Sequence, residues 1–269
     1  KDRCNRDLSG RFGDSSYAFE ELIAELGAAL QCCLLGITNK PKKESAQYLN
    51  SWIKRIEKDP DVGAIAANRG VALWKDLVIT NLIDGRVMAF DDASGDVVWD
   101  KQITQNFGEG FTGAPLALPD KIIVGQSLGD WATRGFIAAL DPATGNEIWR
   151  FYTVPAPGEP GSETWLCDQA GNPDCWKTGG ASAWVTGSYD VESNTLLYGT
   201  GNPVPMYDPE YRPGDNLYSN STLAIDADTG KLKWHFQYTP GDYLDYDEVG
   251  THLLYEAKIN GENRKVLGH

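Results

Sequence analysis

The chain lacks several features that would assign it to a class of protein at once. No apolar run is long enough to span a membrane, and no signal peptide is visible. Basic residues are in deficit, since 24 Lys and Arg face 38 Asp and Glu for a net charge of −14. Nucleic acids bind basic surfaces, so this balance argues against nucleic acid as the main partner.

Histidine and cysteine are also scarce. There are three histidines, and none precedes His235, so the first part of the chain has no imidazole for a zinc site. Of the five cysteines, the adjacent Cys32 and Cys33 fit two small buried apolar residues. Cys167 and Cys175 flank a short loop, and a local disulfide and two separate thiols remain equally open.

Apolar residues make up 41% of the chain and aromatic residues 11%, with nine Trp and 29 Gly. This composition supports a packed, turn-rich β protein rather than a disordered one. The charge is uneven: residues 1–60 hold 10 basic and 9 acidic residues, while residues 61–269 hold 14 and 29. The change predicts two parts, 1–60 and 61–269.

Residues 1–60 read as helical. Apolar residues recur every three or four positions over residues 15–36, which predicts an amphipathic helix, and residues 45–58 predict a second one. Glu21 and Glu25 lie one turn apart on the first helix. Their spacing favours an ordinary solvated face over a metal site.

Residues 61–269 contain a repeat. Residues 87–99, 137–149 and 222–234 each read as a strand, a turn with Asp and Gly, and a second strand that ends in Trp99, Trp149 or Trp234. Repeats of this kind predict a β-propeller in which the Trp docks between neighbouring sheets. Three to four blades fit, with an inserted loop around residues 155–179.

An acidic cluster occupies residues 239–247. Asp242, Asp245 and Asp247 lie within six residues, and carboxylates this close repel one another. A solvated acidic turn and a cluster that holds a cation or takes part in a reaction are both consistent with this stretch.

The order of motifs in residues 61–269 resembles the pyrroloquinoline quinone (PQQ) alcohol dehydrogenases. The matching segments are Asn-Arg-Gly at 68–70, the three Trp units, and residues 179–184, 199–203, 212–216 and 239–247. The resemblance implies a mainly β fold, part of an eight-bladed quinoprotein propeller with Trp-docking repeats, preceded by a short α-helical segment. It also implies a periplasmic enzyme.

The resemblance also implies a site for PQQ and a Ca²⁺ or lanthanide ion. Arg69 would pair with a PQQ carboxylate, and Trp184 would stack on the ring. The cofactor would be hydrogen-bonded by the hydroxyl groups of Thr112, Ser127 and Ser182. The metal would be held by oxygen ligands of Asp130, Asn202, Asp245 and Asp247. Taken singly, these residues also fit a turn arginine, capping hydroxyls, a core tryptophan and exposed acids.

The resemblance implies a different role for each of the three aspartates of the acidic cluster. Asp245 falls on the catalytic aspartate and would act as the general base. Asp247, two positions later, resembles the extra acidic residue of the lanthanide-dependent branch, although Ca²⁺ stays possible. Asp242 is expected to be a turn residue.

The chain departs from the family pattern in three places. Asp130 stands where the family usually has Glu. The adjacent-cysteine ring before the Asn-Arg-Gly motif is replaced near Val62-Gly63-Ala64. The sequence stops at residues 266–269, before the next basic residue that contacts the cofactor and before the remaining blades.

Residues 5–29 contain short sequence motifs that resemble the zincin-like metallopeptidase part of antirestriction (ArdC-like) proteins. The His-Glu-x-x-His helix of that family is missing, so we expect the tail of such a domain without its catalytic half. A peptidase-like or DNA-mimic function led by this part is therefore disfavoured.

The expected function is the oxidation of a primary alcohol to an aldehyde with PQQ, with electrons passed to a cytochrome c. The alternatives are a cofactor-free propeller that serves as a binding or assembly scaffold, and a non-functional chimeric fragment.

Overall fold

A computed structural model describes residues 69–104, 106 and 108–269. The two helices predicted in residues 1–60, the boundary at residue 60, and Glu21 and Glu25 lie outside the described residues. Within the described part no helix is long and apolar enough to cross a membrane.

The described residues form three four-stranded antiparallel sheets and one two-stranded sheet, in chain order. The first sheet contains β1 (Val71–Trp74), β2 (Leu77–Asn81), β3 (Arg86–Asp91) and β4 (Val97–Gln102). The second contains β5 (Leu116–Ala117), β6 (Ile122–Gly125), β7 (Phe136–Leu140) and β8 (Glu147–Tyr152).

The third sheet contains β9 (Ser188–Asp190), β10 (Thr195–Gly199), β11 (Ser221–Asp226) and β12 (Leu232–Gln237). The two-stranded sheet pairs β13 (Leu253–Ile259) with β14 (Glu262–Gly268). Each sheet is a meander whose neighbouring strands are consecutive in sequence. The predicted mainly β, propeller-like class is confirmed.

Both faces of the second sheet are buried, which explains why β6 and β7 are continuous apolar runs. Alternate side chains on one face, such as Val124 and Phe136, join a core with Ile79 and Val87 of the first sheet. Side chains on the other face, such as Ile123, join a core with residues of the third sheet, including Leu196, Tyr198, Leu223 and Ile225. The three sheets therefore stack face to face.

The repeated turns have one geometry. In the turn after β3, the Asp91 carboxylate accepts the backbone N–H of Ala93 and Ser94, at 3.2 and 2.8 Å. These bonds lower the pKa of Asp91. Asp141 and Asp226 make the same pair of bonds in their own turns.

The repeat tryptophans reach the next sheet. The indole N–H of Trp99 donates to the carbonyl of Pro142 at 3.0 Å, and that of Trp149 to Ala227 at 3.0 Å. Trp74 makes the same type of bond to Pro119, at 2.9 Å. Trp234 of β12 is 46% exposed.

The loop predicted around residues 155–179 connects β8 to β9. It contains two short 3₁₀ helices, Ser162–Thr164 and Cys175–Thr178, and no strand. Cys167 and Cys175 form a disulfide with their Cα atoms 5.5 Å apart, which resolves the alternative that the sequence left open.

Candidate functional site

The predicted site residues lie at one end of the sheets, for a reason that follows from the topology. In an antiparallel pair, the start of the first strand and the end of the second strand are neighbours. Arg69, Thr112, Trp184 and Asp247 precede the first strands of their sheets. Segments after the second strands carry Ser127, Asp130 and Asn202. The same end of each sheet therefore presents all of them.

A cavity of about 230 Å³ gathers most of these side chains. Eight of the nine predicted residues line it, together with three others. The predicted ones are Arg69, Thr112, Ser127, Asp130, Ser182, Trp184, Asn202 and Asp247, and the others are Leu128, Gly129 and Trp131.

Asp245 is the predicted residue that does not line the cavity. It is exposed and adopts a left-handed backbone conformation with φ of 66°. Its charge still reaches the site, because it contributes to raising the pKa of Asp247. The structure therefore places Asp245 beside the cavity, at its acidic side.

Asp247 is held by two N–H groups. The backbone N–H of Asn202 donates to Oδ1 at 2.9 Å, and the indole N–H of Trp184 donates to Oδ2 at 3.1 Å. A Cβ on Gly201 would lie 2.5 Å from Oδ1, so a larger residue there would displace the carboxylate from this position. These contacts fix the carboxylate against the tryptophan edge.

Asp247 is exposed as a residue, but partial burial of its carboxylate raises its pKa, and the charges of Asp245 and Asp130 act in the same direction. The N–H bonds from Asn202 and Trp184 oppose this shift. A cation placed among these carboxylates would relieve the repulsion.

Asn202 is buried and connects the two acidic residues. Its Nδ2 donates to Oδ1 of Asp130 at 3.3 Å, while its backbone N–H holds Asp247. Asp130 lies on the 3₁₀ helix Gly129–Trp131, between the left-handed residues Leu128 and Ala132. The tight turn thus points a short, exposed carboxylate at the amide.

The other polar residues that line the cavity are neutral or cationic. The Oγ of Ser127 accepts the backbone N–H of Thr112 at 3.0 Å and bonds the Thr112 hydroxyl at 3.0 Å. Arg69 donates its backbone N–H to the Thr112 carbonyl, and its guanidinium lies 4.8 Å from the centre of the Trp184 ring. The cavity therefore has an acidic side, an aromatic plane and a cation.

Asp242 has a different environment from the other two aspartates of the acidic cluster. It is 3% exposed, and its carboxylate accepts the backbone N–H of Leu244 and of Tyr246, both at 2.9 Å, and the amide of Asn220 at 3.1 Å. The prediction of a turn residue agrees with these bonds. Its burial shows that it organises the loop from within.

Sequence reasoning assigned no role to Arg212, which is fully buried. Its guanidinium donates to the carbonyls of Pro205, Met206 and Asp242 and to the side-chain oxygen of Asn216. Burial lowers its pKa to about 10, so it stays charged at neutral pH. The Arg-Pro-Gly-Asp-Asn run was the signal that could have identified it.

A larger depression of about 900 Å³ lies elsewhere and shares no lining residue with this cavity. Its arginines are already paired, Arg150 with Glu147 at 2.5 Å and Arg134 with Glu159 at 3.0 Å. None of the predicted site residues lines it, so the smaller cavity is the candidate site.

Comparison with known proteins identifies the family. Residues 52–269 match the family described as the β-propeller domain of glucose, ethanol and alcohol dehydrogenases that use PQQ. The chain belongs to this PQQ dehydrogenase propeller family. Residues 1–69 match the zincin-like metallopeptidase family, as the second resemblance predicted.

Two sequence relatives illustrate the similarity. A quinohemoprotein alcohol dehydrogenase, ADH IIB, from Pseudomonas putida is 40% identical over 232 residues, which cover 78% of this chain and 33% of the relative. A lanthanide-dependent methanol dehydrogenase from Methylacidiphilum fumariolicum is 32% identical over 258 residues, covering 87% and 40%. The chain spans about a third of the length of the relatives that it matches.

Solved structures of the same family are also similar to this chain in fold. The crystal structure of a quinohemoprotein alcohol dehydrogenase from Comamonas testosteroni superposes with a TM-score of 0.69 at 39% identity, over 74% of this chain and 31% of that one. A europium-containing methanol dehydrogenase gives a TM-score of 0.68 at 33% identity, over 76% and 39%. The PQQ dehydrogenase propeller is thus supported by sequence and by fold.

Proposed function

We propose that the protein to which this chain belongs is a periplasmic PQQ-dependent alcohol dehydrogenase with an eight-bladed propeller. It would oxidise a primary alcohol to an aldehyde and pass the electrons to a cytochrome c. The observation that carries the proposal is the convergence of Arg69, Trp184, Asp130, Asn202 and Asp247 on one cavity. Relatives named as alcohol and methanol dehydrogenases support the substrate class.

The residues present fit a hard cation. The acidic side of the cavity offers carboxylate oxygens from Asp130 and Asp247 and the amide group of Asn202. Carboxylate and amide oxygens are the ligands that Ca²⁺ prefers. Two aspartates carry more negative charge than one, which also suits a trivalent lanthanide. Burial raises the pKa of Asp247, and the charges of Asp245 and Asp130 raise it further, so a cation beside these carboxylates would offset their repulsion.

The residues also fit a flat polycarboxylate. Trp184 offers an aromatic face, Arg69 a positive charge, and Thr112, Ser127 and Ser182 hydroxyl groups. The Arg69 guanidinium now covers one face of the indole. A ring stacked on that face requires Arg69 to move to the edge of the ring, where its charge would meet a carboxylate.

When bound, PQQ supplies an electrophilic quinone carbonyl that accepts hydride, and the cation polarises that carbonyl. The contribution of the chain itself is proton removal and positioning. Asp245 takes the proton of the alcohol hydroxyl as the alcohol carbon gives up its hydride, so that an aldehyde is left. Asp247 is a metal ligand and stays hydrogen-bonded to Asn202 and Trp184.

The test combines purified chain with PQQ and either Ca²⁺ or La³⁺, and measures both PQQ binding and dye reduction with ethanol and methanol. We expect binding that needs the metal, and dye reduction in protein that binds. Asp245→Asn should lower kcat by about 10²- to 10⁴-fold because it removes the base, and should change PQQ binding much less, since Asp245 does not line the cavity.

The choice of metal has its own arm. The hypothesis that Asp247 helps to bind a lanthanide predicts a preference for La³⁺ that disappears in Asp247→Ala. The preference should persist in the control Asp168→Ala, in the exposed disulfide loop. No PQQ binding with either metal would overturn the proposal for this chain and favour a cofactor-free scaffold.

A further inference from the structure

A second cluster of ligating side chains lies at the equivalent end of the two-stranded sheet. Glu248 and His252 precede β13, and His269 follows β14. Because Leu253 pairs with Gly268, the antiparallel register brings these flanking residues together. Each offers one ligand atom, and the three atoms lie within 4.8 Å of one another.

Two of the three side chains are buried. His252 is 2% exposed and Glu248 is 9% exposed. Nδ1 of His252 is enclosed and makes no hydrogen bond with any described residue. A carboxylate oxygen of Glu248 contacts Nε2 of His269, whose ring lies 5.2 Å from that of His252. A buried, unpartnered nitrogen beside a carboxylate and a second imidazole needs an explanation.

The other nitrogen of His252 shows how the ring is oriented. Nε2 lies 2.7 Å from the hydroxyl of Thr222, which lies 3.1 Å from the hydroxyl of Tyr238. With the proton on Nε2 donated to Thr222, Nδ1 carries a lone pair that no described residue uses. A metal-binding histidine typically donates its second N–H to a neighbouring polar group in this way.

The ring is also in the right charge state. Burial, with the charge of His269 acting in the same direction, lowers the pKa of His252 to about 4. A neutral imidazole at neutral pH can bind a metal without first losing a proton.

We propose that Glu248, His252 and His269 bind one borderline divalent ion, of the Zn²⁺ class, separately from the hard-cation cavity. Two imidazoles and one carboxylate are a common ligand set for Zn²⁺, with water in the fourth position. Hard ions such as Ca²⁺ and lanthanides take oxygen ligands instead. The two sites therefore select different metals.

The geometry requires one small movement. Two ligand atoms bound to the same Zn²⁺ at about 2.1 Å are at most roughly 4.2 Å apart. The spacing of up to 4.8 Å must therefore shorten, and the exposed ring of His269 can rotate to shorten the distances that involve it.

The test is a Zn²⁺ titration of the chain with La³⁺ or Ca²⁺ already saturating, followed by calorimetry, with Co²⁺ as a spectroscopic probe. We expect one Zn²⁺ per chain and visible Co²⁺ bands that report nitrogen ligands. His269→Gln should weaken Zn²⁺ binding at least about 100-fold and His252→Gln similarly, since each removes a ligand. Because His269 is exposed, its variant keeps the fold.

Two further variants separate ligation from structure. Thr222→Val should weaken binding about tenfold and shift the Co²⁺ bands, because it removes the group that orients His252. The matched control is His235→Gln, which changes the one histidine of the described residues that lies outside the cluster and should bind as the wild type does. Failure to bind at millimolar Zn²⁺, or equal binding by the wild type and His269→Gln, overturns the proposal.

Discussion

Arg212 shows how a single buried residue supports the acidic loop. Its guanidinium bonds three backbone carbonyls, among them that of Asp242, whose carboxylate in turn binds the N–H groups of Leu244 and Tyr246. The loop that carries Asp245 and Asp247 is therefore held by a buried cation. Buried carbonyl groups that lose their donor cost about 1–3 kcal/mol each.

We expect Arg212→Met to lower the free energy of unfolding by roughly 3 kcal/mol or more, because several buried acceptors lose their donor. Arg212→Lys should fall between the wild type and Arg212→Met, since an ammonium keeps the charge but not the planar fork. Urea denaturation measures both. Arg264→Met, at an exposed ion pair on β14, is the control and should change stability by less than about 1 kcal/mol. Equal effects of the Arg212 and Arg264 variants to Met would contradict this role.

For single residues, the sequence predicted most of the candidate site. The motif order was sufficient to select eight residues that the structure brings to one cavity. It could not predict that the Asp245 side chain stands beside the cavity, because a left-handed backbone residue directs it there. Nor could it predict the roles of Arg212 and His252, since burial depends on contacts between segments distant in sequence.

Among the elements, the turn of one sheet and the tryptophan of the preceding sheet fit each other. A Cβ on Gly145 would lie 2.6 Å from Cε3 of Trp99. Gly95 occupies the same place in the turn of the first sheet, and nothing in the described residues lies within 4 Å of a Cβ there. The two glycines have similar φ angles of 69° and 75°.

The pair provides a matched test of that contact. Gly145→Ala and Gly95→Ala should both lose about 1–2 kcal/mol from the left-handed backbone. Gly145→Ala should lose a further 1–3 kcal/mol, roughly, because the methyl group displaces the Trp99 indole. Thermal and urea unfolding measure the difference. Equal losses would show that the tryptophan contact does not contribute to stability.

The two-stranded sheet is tied to the third sheet by an ion pair. Lys265 of β14 contacts the buried carboxylate of Asp190 and also pairs with Glu192 at 2.9 Å. The bonds from Lys265 and Ser193 lower the pKa of Asp190. A carboxylate with a lowered folded-state pKa stabilises the protein above its ordinary pKa, and that contribution is lost as the pH falls and the group is protonated.

We therefore expect Lys265→Met to reduce stability near neutral pH and to flatten the loss of stability as the pH falls through about 4. The measurement is urea unfolding over a series of pH values. Lys258→Met on the neighbouring strand is the control and should keep the pH dependence of the wild type. A pH profile of Lys265→Met that parallels the wild type would contradict the link.

The elements themselves follow from the sequence more directly than the site does. Alternation and the Asp-and-Gly turns predicted the paired strands that contain Trp99, Trp149 and Trp234, although each second strand continues beyond its Trp rather than ending there. The first two strands of each four-stranded sheet were less visible in the sequence. Strands as short as Leu116–Ala117 have too few residues to show a period.

For the whole molecule, the stacking of sheets creates the site. Each sheet contributes a few side chains from one end, and no single sheet holds the acidic side, the aromatic plane and the cation together. The outer face of the third sheet leaves Trp234 and Phe236 exposed, at 46% and 58%. The chain covers about a third of its relatives, so the proposed activity is that of the whole protein.

The most direct test of whether one cavity holds both PQQ and the hard cation is the coupling between their binding. The affinity for PQQ is measured by equilibrium dialysis with and without saturating La³⁺, in the wild type, Asp247→Asn and the control Asp168→Asn. If one cavity holds both, La³⁺ should tighten PQQ binding at least about tenfold in the wild type and in Asp168→Asn, and much less in Asp247→Asn. PQQ affinity that is independent of La³⁺, or a coupling that Asp247→Asn leaves intact, would contradict a shared site.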